Sequence, residues 1–288
     1  ASMKKALDIR PDDVTSVLQY SAVLQAGGQN EEALRLMRDS RAIAGESMQI
    51  RDEWIRLEAT VGDKELALRE RERDLARDPN NRTYQLQVAG LSTEVRRFDQ
   101  ARKRIDTLRA SSDGLDAAQL DALWHADQGD LASAEKVLRD YASKLKAEKP
   151  GSEAETLLTL GRFLASRGQS AGAIRALEEA RPVQDPKALP ADRLLVELFI
   201  DAGQTDRAIE ALQRMVQAMA PNVDDAIRLR LAESLVTARR FDEALKELDQ
   251  LSPTMRDSVA PAILRADAAA GRGDSKLAME LLDKAVTT

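Results

Sequence analysis

Apolar residues recur along this chain at the spacing of amphipathic helices that are separated by short polar turns. In one stretch, Leu157 and Leu164 lie on the same face of a predicted helix, and the polar residues 167–170 then turn the chain. Ala173 and Leu177 follow on the apolar face of a second helix. The pattern predicts a helical hairpin in which a leucine face packs against an alanine face.

The hairpin is repeated along the sequence. Its second helix carries an alanine at intervals of about 34 residues, with one longer interval of 39 residues, at Ala33, Ala67, Ala101, Ala134, Ala173, Ala208, Ala244 and Ala278. Glycine precedes six of these alanines by five residues, whereas Arg96 and Arg239 occupy that position in two units. A helical period of this length predicts an array in which each unit buries its apolar face against its neighbours.

Two further positions of the period identify the kind of repeat. A small residue recurs on the first helix at Ser21, Ala89, Ala122, Gly161, Ala232 and Ala266, and a bulky apolar residue recurs on the second at Met37, Ile105, Leu138, Leu177, Leu212, Leu248 and Leu282. On these residues the chain resembles the tetratricopeptide repeat proteins over essentially its whole length. The resemblance implies an all-α fold, a right-handed superhelical solenoid of about eight helix-turn-helix units. Residues 14–288 are predicted to form eight repeats in one continuous solenoid, and 1–13 a remnant of a preceding repeat.

Two segments depart from the pattern. Residues 68–75 are mostly charged, with Arg71 at a bulky apolar position, so we expect a solvent-exposed helix that is the least stable part of the array. The 39-residue interval contains residues 141–151, which end in Pro150-Gly151 and predict an extension of the helix by about one turn. Ser152 and Glu155 form the pattern of a capping box for the next helix.

Composition excludes several functions. Lys and Arg total 43 against 49 Asp and Glu, a net charge of −6 that disfavours nucleic acid as a partner. One histidine and no cysteine are too few for a transition-metal site, and we expect no cofactor and no enzymatic activity. No apolar run is long enough for a membrane span. The alanine- and arginine-rich composition is typical of a bacterium, and a soluble protein of either the cytoplasm or the periplasm fits it.

The resemblance also implies where a partner binds. In this family the first helices line a concave groove, and the corresponding positions here carry nine acidic residues against three arginines. The acidic residues are Asp52, Glu94, Asp116, Asp127, Glu155, Glu197, Asp201, Glu233 and Asp267, and the arginines are Arg56, Arg162 and Arg193. A wall of one sign attracts ligands of the other, so the expected partner is a protein or peptide segment, with a basic segment favoured.

The sequence therefore predicts a non-enzymatic scaffold that binds a partner segment along an acidic groove. Two alternatives share the fold: a periplasmic scaffold subunit of a bacterial exopolysaccharide export or assembly machine, and a substrate-guiding repeat arm of a larger enzyme. The first and last units read as truncated repeats, so self-association through their open faces is a further expectation.

Overall fold

The computed structural model describes residues 13–43, 47–111 and 114–287 of the chain, and in these ranges the secondary structure is helical, without strands. The helices are α1 (Val14–Ala26), α2 (Asn30–Ile43), α3 (Met48–Val61), α4 (Lys64–Arg77), α5 (Arg82–Glu94), α6 (Phe98–Ser111), α7 (Leu115–Asp127), α8 (Leu131–Glu148), α9 (Ala154–Ser166), α10 (Ser170–Ala180), α11 (Pro190–Asp201), α12 (Thr205–Met219), α13 (Asp225–Thr237), α14 (Phe241–Asp249), α15 (Pro253–Arg256), α16 (Val259–Gly271) and α17 (Ser275–Thr287). A 3-10 turn at Arg181–Val183 follows α10.

Apart from the short helix α15, these helices form consecutive antiparallel pairs. Each of the eight recurring alanines lies on the second helix of its pair, and all eight side chains are buried. Burial explains the small residue, because a larger side chain would separate the two packed helices. The predicted all-α array of helix-turn-helix repeats is confirmed.

Seven of the eight turns inside the pairs use a left-handed residue, whereas Gly62, between α3 and α4, has φ −110°. Gly168, for example, has φ +73°, a conformation that costs glycine nothing and other residues about 1–2 kcal/mol. Arg96 and Arg239 adopt φ +62° and +59° at the corresponding position of their own repeats. The turn geometry is therefore kept even where the sequence does not supply glycine.

The chain divides into two compact units, with the boundary between Val137 and Leu138 inside α8. That helix has 18 residues, which confirms the predicted extension, and Gly151 follows it with φ +95°. The predicted capping box is wrong, because the Ser152 hydroxyl donates back to the carbonyl oxygens of Leu145 and Lys149. The predicted remnant at 1–13 lies outside the described residues except for Asp13, whose carboxylate caps α1.

The charged helix α4 is not solvent-exposed, so that expectation is wrong. Glu70, Arg71 and Asp74 are only 5%, 2% and 4% exposed. Arg51 of α3 binds both acids, with its Nη2 atom 2.9 Å from a Glu70 oxygen and 2.9 Å from Asp74 Oδ1. Arg71 Nη1 lies 2.7 Å from Asp52 Oδ1 and 3.3 Å from Asp74 Oδ2. A network of ion pairs between α3 and α4 thus fills a position that apolar side chains usually occupy.

The tryptophans and the single histidine pack inside the repeats of the first unit. Trp54 is buried and its Nε1 donates to Glu58 at 2.8 Å. Trp124 is half-buried and donates to the Phe98 carbonyl at 2.9 Å, with the His125 ring 4.9 Å away in an edge-on arrangement. These contacts give the two tryptophans and His125 structural roles inside their repeats.

Candidate binding surface

A cavity of about 540 Å³ lies in the second unit and holds three of the predicted site residues. It is lined by α11, α12, α13 and the residue that caps α13, through Arg193, Val196, Glu197, Leu212, Met215, Asp224, Ala226, Ile227, Leu229, Arg230 and Glu233. Because α11 and α13 are the first helices of consecutive repeats, the cavity lies where the resemblance predicts partner binding. Its volume is within the range of ordinary ligand pockets.

The floor of this cavity is apolar. Val196, Leu212, Met215 and Ile227 are buried, and Leu229 is half-buried beside them. An apolar side chain that entered the cavity would lose water-exposed area on these groups, at about 25 cal/mol per Å². The floor can therefore supply affinity that charge alone does not give.

The rim of the cavity is charged, and its acids share an arginine. Arg230 donates from Nη2 to Glu197 at 2.8 Å and from Nη1 to Glu233 at 3.3 Å. Burial alone would lower the pKa of Arg230, but the attraction and hydrogen bonds of the two carboxylates outweigh it and raise the pKa. With Asp224 and Arg193, the lining carries three acidic and two basic side chains.

Arg193 has a different environment. Its Nε donates to the Ala188 carbonyl at 3.1 Å and its Nη2 approaches the Met219 sulfur at 3.8 Å. Among the residues that the structure describes, no carboxylate forms an ion pair with it. The Arg193 guanidinium is exposed at the rim and can accept an acidic group of a ligand.

A second cavity, of about 490 Å³, lies in the first unit and holds two more predicted site residues, Arg56 and Glu94. Both have partners: Lys64 Nζ lies 2.8 Å from a Glu94 oxygen, and Arg56 Nη2 lies 2.7 Å from a Glu53 oxygen. Arg71 also lines this cavity, with its guanidinium 4.8 Å from the centre of the Tyr84 ring. Three basic side chains and one acidic side chain line the cavity, the opposite balance to the second unit.

The other predicted site residues lie outside these two cavities. Asp52 binds the buried Arg71, as described above, and Asp116 Oδ1 lies 2.7 Å from Arg82 Nη2. Burial would raise the pKa of Asp116, but hydrogen bonds from Arg82 and a backbone amide lower it. Glu155 and Arg162 lie 3.6 Å apart on α9.

Three predicted acids remain. Asp127 is half-buried at the last residue of α7, whereas Asp201 and Asp267 are exposed on α11 and α16. Neither of those two exposed acids has an ion-pair partner in the described part of the chain. They are therefore the predicted acids with the least neutralised charge.

Sequence reasoning missed the cations that bind the predicted acids, namely Lys64, Arg71, Arg82 and Arg230. Two of these pairs are separated by about one repeat: 34 residues for Arg82 and Asp116, and 33 for Arg230 and Glu197. Residues one period apart lie on neighbouring first helices in a stacked array. Pairing each acid with the residue one period away would have found these two contacts, but not those of Lys64 and Arg71.

Neither a metal cluster nor a helix apt for crossing a membrane occurs within the described ranges. No group of three or more histidine, aspartate or glutamate side chains there is arranged to hold a metal ion. None of the helices combines the length and the apolar character that a membrane span requires.

Comparison with known proteins identifies a relative that is much longer than this chain. The sequence is 28% identical over 275 residues to cellulose synthase operon protein C of Xanthomonas axonopodis pv. citri (strain 306), and the match covers 88% of this chain. The chain spans 18% of the length of that protein.

The solved structures that structural comparison matches to this chain include two repeat proteins. A tetratricopeptide repeat protein from Parabacteroides merdae is 16% identical, with a TM-score of 0.47 and coverage of 81% of this chain and 90% of that one. The MamA protein is 20% identical, with a TM-score of 0.45 and coverage of 60% and 90%.

The family model that matches the chain agrees with the repeats that the structure shows. Residues 199–268 match the model of the tetratricopeptide repeat. This segment begins near the end of α11 and includes the complete pair α13–α14, and the same pairing of helices recurs before and after it. The predicted resemblance to tetratricopeptide repeat proteins is confirmed by this match, which lies within the array of helix pairs.

Proposed function

We propose that the chain is a non-enzymatic scaffold that binds a segment of a partner protein on the face formed by the first helices of its repeats. The observation that carries this proposal is the cavity of about 540 Å³ in the second unit, which combines an apolar floor with a charged rim. Interfaces that bind tightly have this arrangement, an apolar anchor inside a polar border.

The lining indicates the chemistry of the segment. An apolar side chain of the partner packs on Leu229 and the buried residues around it. A neighbouring lysine or arginine then approaches the exposed Glu197 and the half-buried Glu233, which share one arginine between them. Charge complementarity of this kind contributes more to specificity and association rate than to affinity. The partner is thus an amphipathic segment with at least one basic residue.

Selection from a library of random displayed peptides tests this proposal. The intact chain is the bait, and the selected peptides are titrated against the parent and the variant Glu197→Gln/Glu233→Gln. We expect an apolar residue next to lysine or arginine, and a roughly threefold to tenfold loss of affinity in the variant, because two rim charges are lost. The matched control is Glu210→Gln, which removes an exposed charge of α12 outside the cavity lining.

Two results would count against the proposal. Peptides whose affinity is unchanged by the double substitution bind elsewhere on the chain. A selection that enriches no peptide above the background of an unrelated bait would contradict a scaffold that recognises short segments. Salt adds an internal check, since exposed charges are screened as ionic strength rises.

A second candidate function rests on the similarity to cellulose synthase operon protein C. We propose that the chain serves as a periplasmic scaffold in a bacterial machine that makes or exports an exopolysaccharide. An in-frame deletion of this segment in the source organism is expected to abolish secreted polysaccharide, measured by dye binding, while the amount of the synthase stays unchanged. Unchanged secretion in that deletion strain would overturn this second proposal and leave the first untouched.

A further inference from the structure

Arg104 differs from the other arginines in its surroundings. Among the residues that the structure describes, every other arginine that is at least partly buried forms an ion pair with a carboxylate, as Arg102 and Arg109 of the same helix do with Asp121. Arg104 is half-buried, has no ion pair or hydrogen bond there, and its Nε is buried without a partner. A buried donor that lacks an acceptor is unfavourable, so the site gains from any anion that reaches it.

This arginine lines a cavity of about 380 Å³ that is separate from the two described above. The cavity lies between α4 and α6, the second helices of consecutive repeats, and the start of α5. Leu75 and Leu108 are buried in its wall, and Ala76 and Pro79 complete an apolar surface at its opening. A cation at the edge of an apolar cavity matches a ligand with an anionic head and an apolar body.

Among the polar side chains of the lining, Arg104 is the one that can bind the anionic head of a ligand. The Gln85 side chain donates to the Pro79 carbonyl at 2.7 Å, and the Thr107 hydroxyl donates to the Lys103 carbonyl at 2.9 Å. Glu72 is the acid among the lining residues, and it accepts a hydrogen bond from Gln100 rather than from Arg104. Its negative charge repels an anionic ligand, so removing that charge should strengthen the binding of an anion.

We propose that this cavity binds a carboxylate carried on an apolar stem, with the guanidinium of Arg104 as the recognition group. A guanidinium presents its donors in a planar fork that fits the two oxygens of a carboxylate. The carboxylate comes from a free organic acid or from a glutamate or aspartate side chain of another polypeptide.

The experiment observes Arg104 directly by NMR of the arginine Nε–H groups in the intact chain, with the resonance assigned by its loss in Arg104→Lys. One arm titrates 4-phenylbutyrate against its neutral amide, 4-phenylbutyramide. The second arm titrates the blocked peptide Ala-Leu-Glu-Leu-Ala against the same peptide with glutamine. We expect the Arg104 signal to shift with carboxylates and not with amides, and the arm with the lower dissociation constant identifies the source.

Variants of matched charge complete the test. Arg104→Gln is expected to weaken carboxylate binding roughly tenfold or more, because a charge-assisted contact is lost. Arg69→Gln, which removes an exposed charge of α4 outside the cavity lining, should leave binding unchanged. Glu72→Gln should strengthen binding several-fold. Equal binding of acid and amide, or carboxylate binding that survives in a folded Arg104→Gln protein, would overturn the proposal.

Discussion

Helices α4 and α12 occupy the same place in two repeats and are buried by different chemistry. Counted from the recurring alanine, Glu70, Arg71 and Asp74 of α4 correspond to Ala211, Leu212 and Met215 of α12. The first three are 5%, 2% and 4% exposed, and the second three are 0%, 2% and 3% exposed. The backbone of the repeat thus specifies which positions are buried, whereas the side chains determine how burial is made favourable.

The apolar burial of α12 and the ion-paired burial of α4 require different partners. The apolar positions of α12 need only partners of suitable size, and Leu212 packs among aliphatic neighbours. The charged positions of α4 need partners of opposite charge on α3, because an ion removed from water is costly unless it is paired. The α4 solution therefore fails when any single partner is removed, and five predictions test this comparison.

The largest effect is expected for Leu212→Arg. This change gives α12 the residue that α4 has at the same position, but without Asp52 of α3 and Asp74 of α4, which bind Arg71. A buried guanidinium with no partner should lower the free energy of unfolding by more than about 4 kcal/mol. Urea unfolding measures the loss, and hydrogen exchange of α12 peptides locates it. Stability within about 1 kcal/mol of the parent would show that the position tolerates charge without a network.

The reverse change, Arg71→Leu, should cost about 3 kcal/mol although leucine is the apolar residue typical of this position. Asp52 and Asp74 lose a shared donor, and the contact of the guanidinium with the Tyr84 ring is lost as well. Urea unfolding and hydrogen exchange of α4 peptides give the measurement, with Arg69→Gln on the exposed side of the same helix as the control.

Replacing the whole network separates its net contribution from the cost of breaking it. Arg51→Leu/Glu70→Ala/Arg71→Leu/Asp74→Met removes the buried partners together and gives α4 the apolar character of α12. Because buried ion clusters can be replaced by well-packed apolar residues at little cost, this variant should lie within about 1 kcal/mol of the parent or be more stable. A loss as large as that of Arg71→Leu alone would mean that the network itself is strongly stabilising.

The comparison also shows what the sequence could predict. Alanine spacing and the polar turns were sufficient for the helix pairs, because both follow from local geometry within one repeat. The burial of Glu70 and Asp74 was not predicted, because it depends on Arg51 of a different helix, and a run of alternating charges is typical of a solvated surface.

The same limit applies to the candidate site. The resemblance selected Arg193, Glu197 and Glu233, which the structure brings to one cavity. It did not select Arg230, the cation that binds both acids, because only the stacking of consecutive repeats brings that side chain between them. Residue type at a single position predicts which face carries a charge, but the neighbouring repeat determines how much of that charge is neutralised.

Acid should weaken the repeat that contains α4 through Glu58 of α3. Burial would raise the pKa of this carboxyl, but hydrogen bonds from Arg38, the Asp63 amide and Trp54 outweigh it and hold the pKa below its usual 4.5. A carboxyl with a lowered folded-state pKa stabilises the fold fully above the unfolded value, and this stabilisation is lost as the pH falls through the folded pKa.

Glu58→Gln should therefore be less stable than the parent at neutral pH and should show a shallower loss of stability in acid. Urea midpoints between neutral pH and the acid range give both quantities. Glu210→Gln, an exposed change on α12, should leave the slope of the parent unaltered. If the slopes of Glu58→Gln and the parent coincide, Glu58 does not carry this pH dependence.

The smallest effect is expected at the turns, where the two units should respond alike. Arg96 in the first unit and Arg239 in the second have φ values near +60°, which cost a non-glycine residue about 1–2 kcal/mol. Glycine removes this cost, but part of the gain is lost because glycine also makes the unfolded chain more flexible. Arg96→Gly and Arg239→Gly should each raise the free energy of unfolding by about 0.5–1 kcal/mol. Gly168→Ala is the opposite control: its added Cβ meets no atom within 4 Å, so a loss there reports conformation alone. Equal gains in stability would show that the two units differ in the chemistry of α4 and α12 and not in their turns. A gain confined to one unit would show that the turns differ as well.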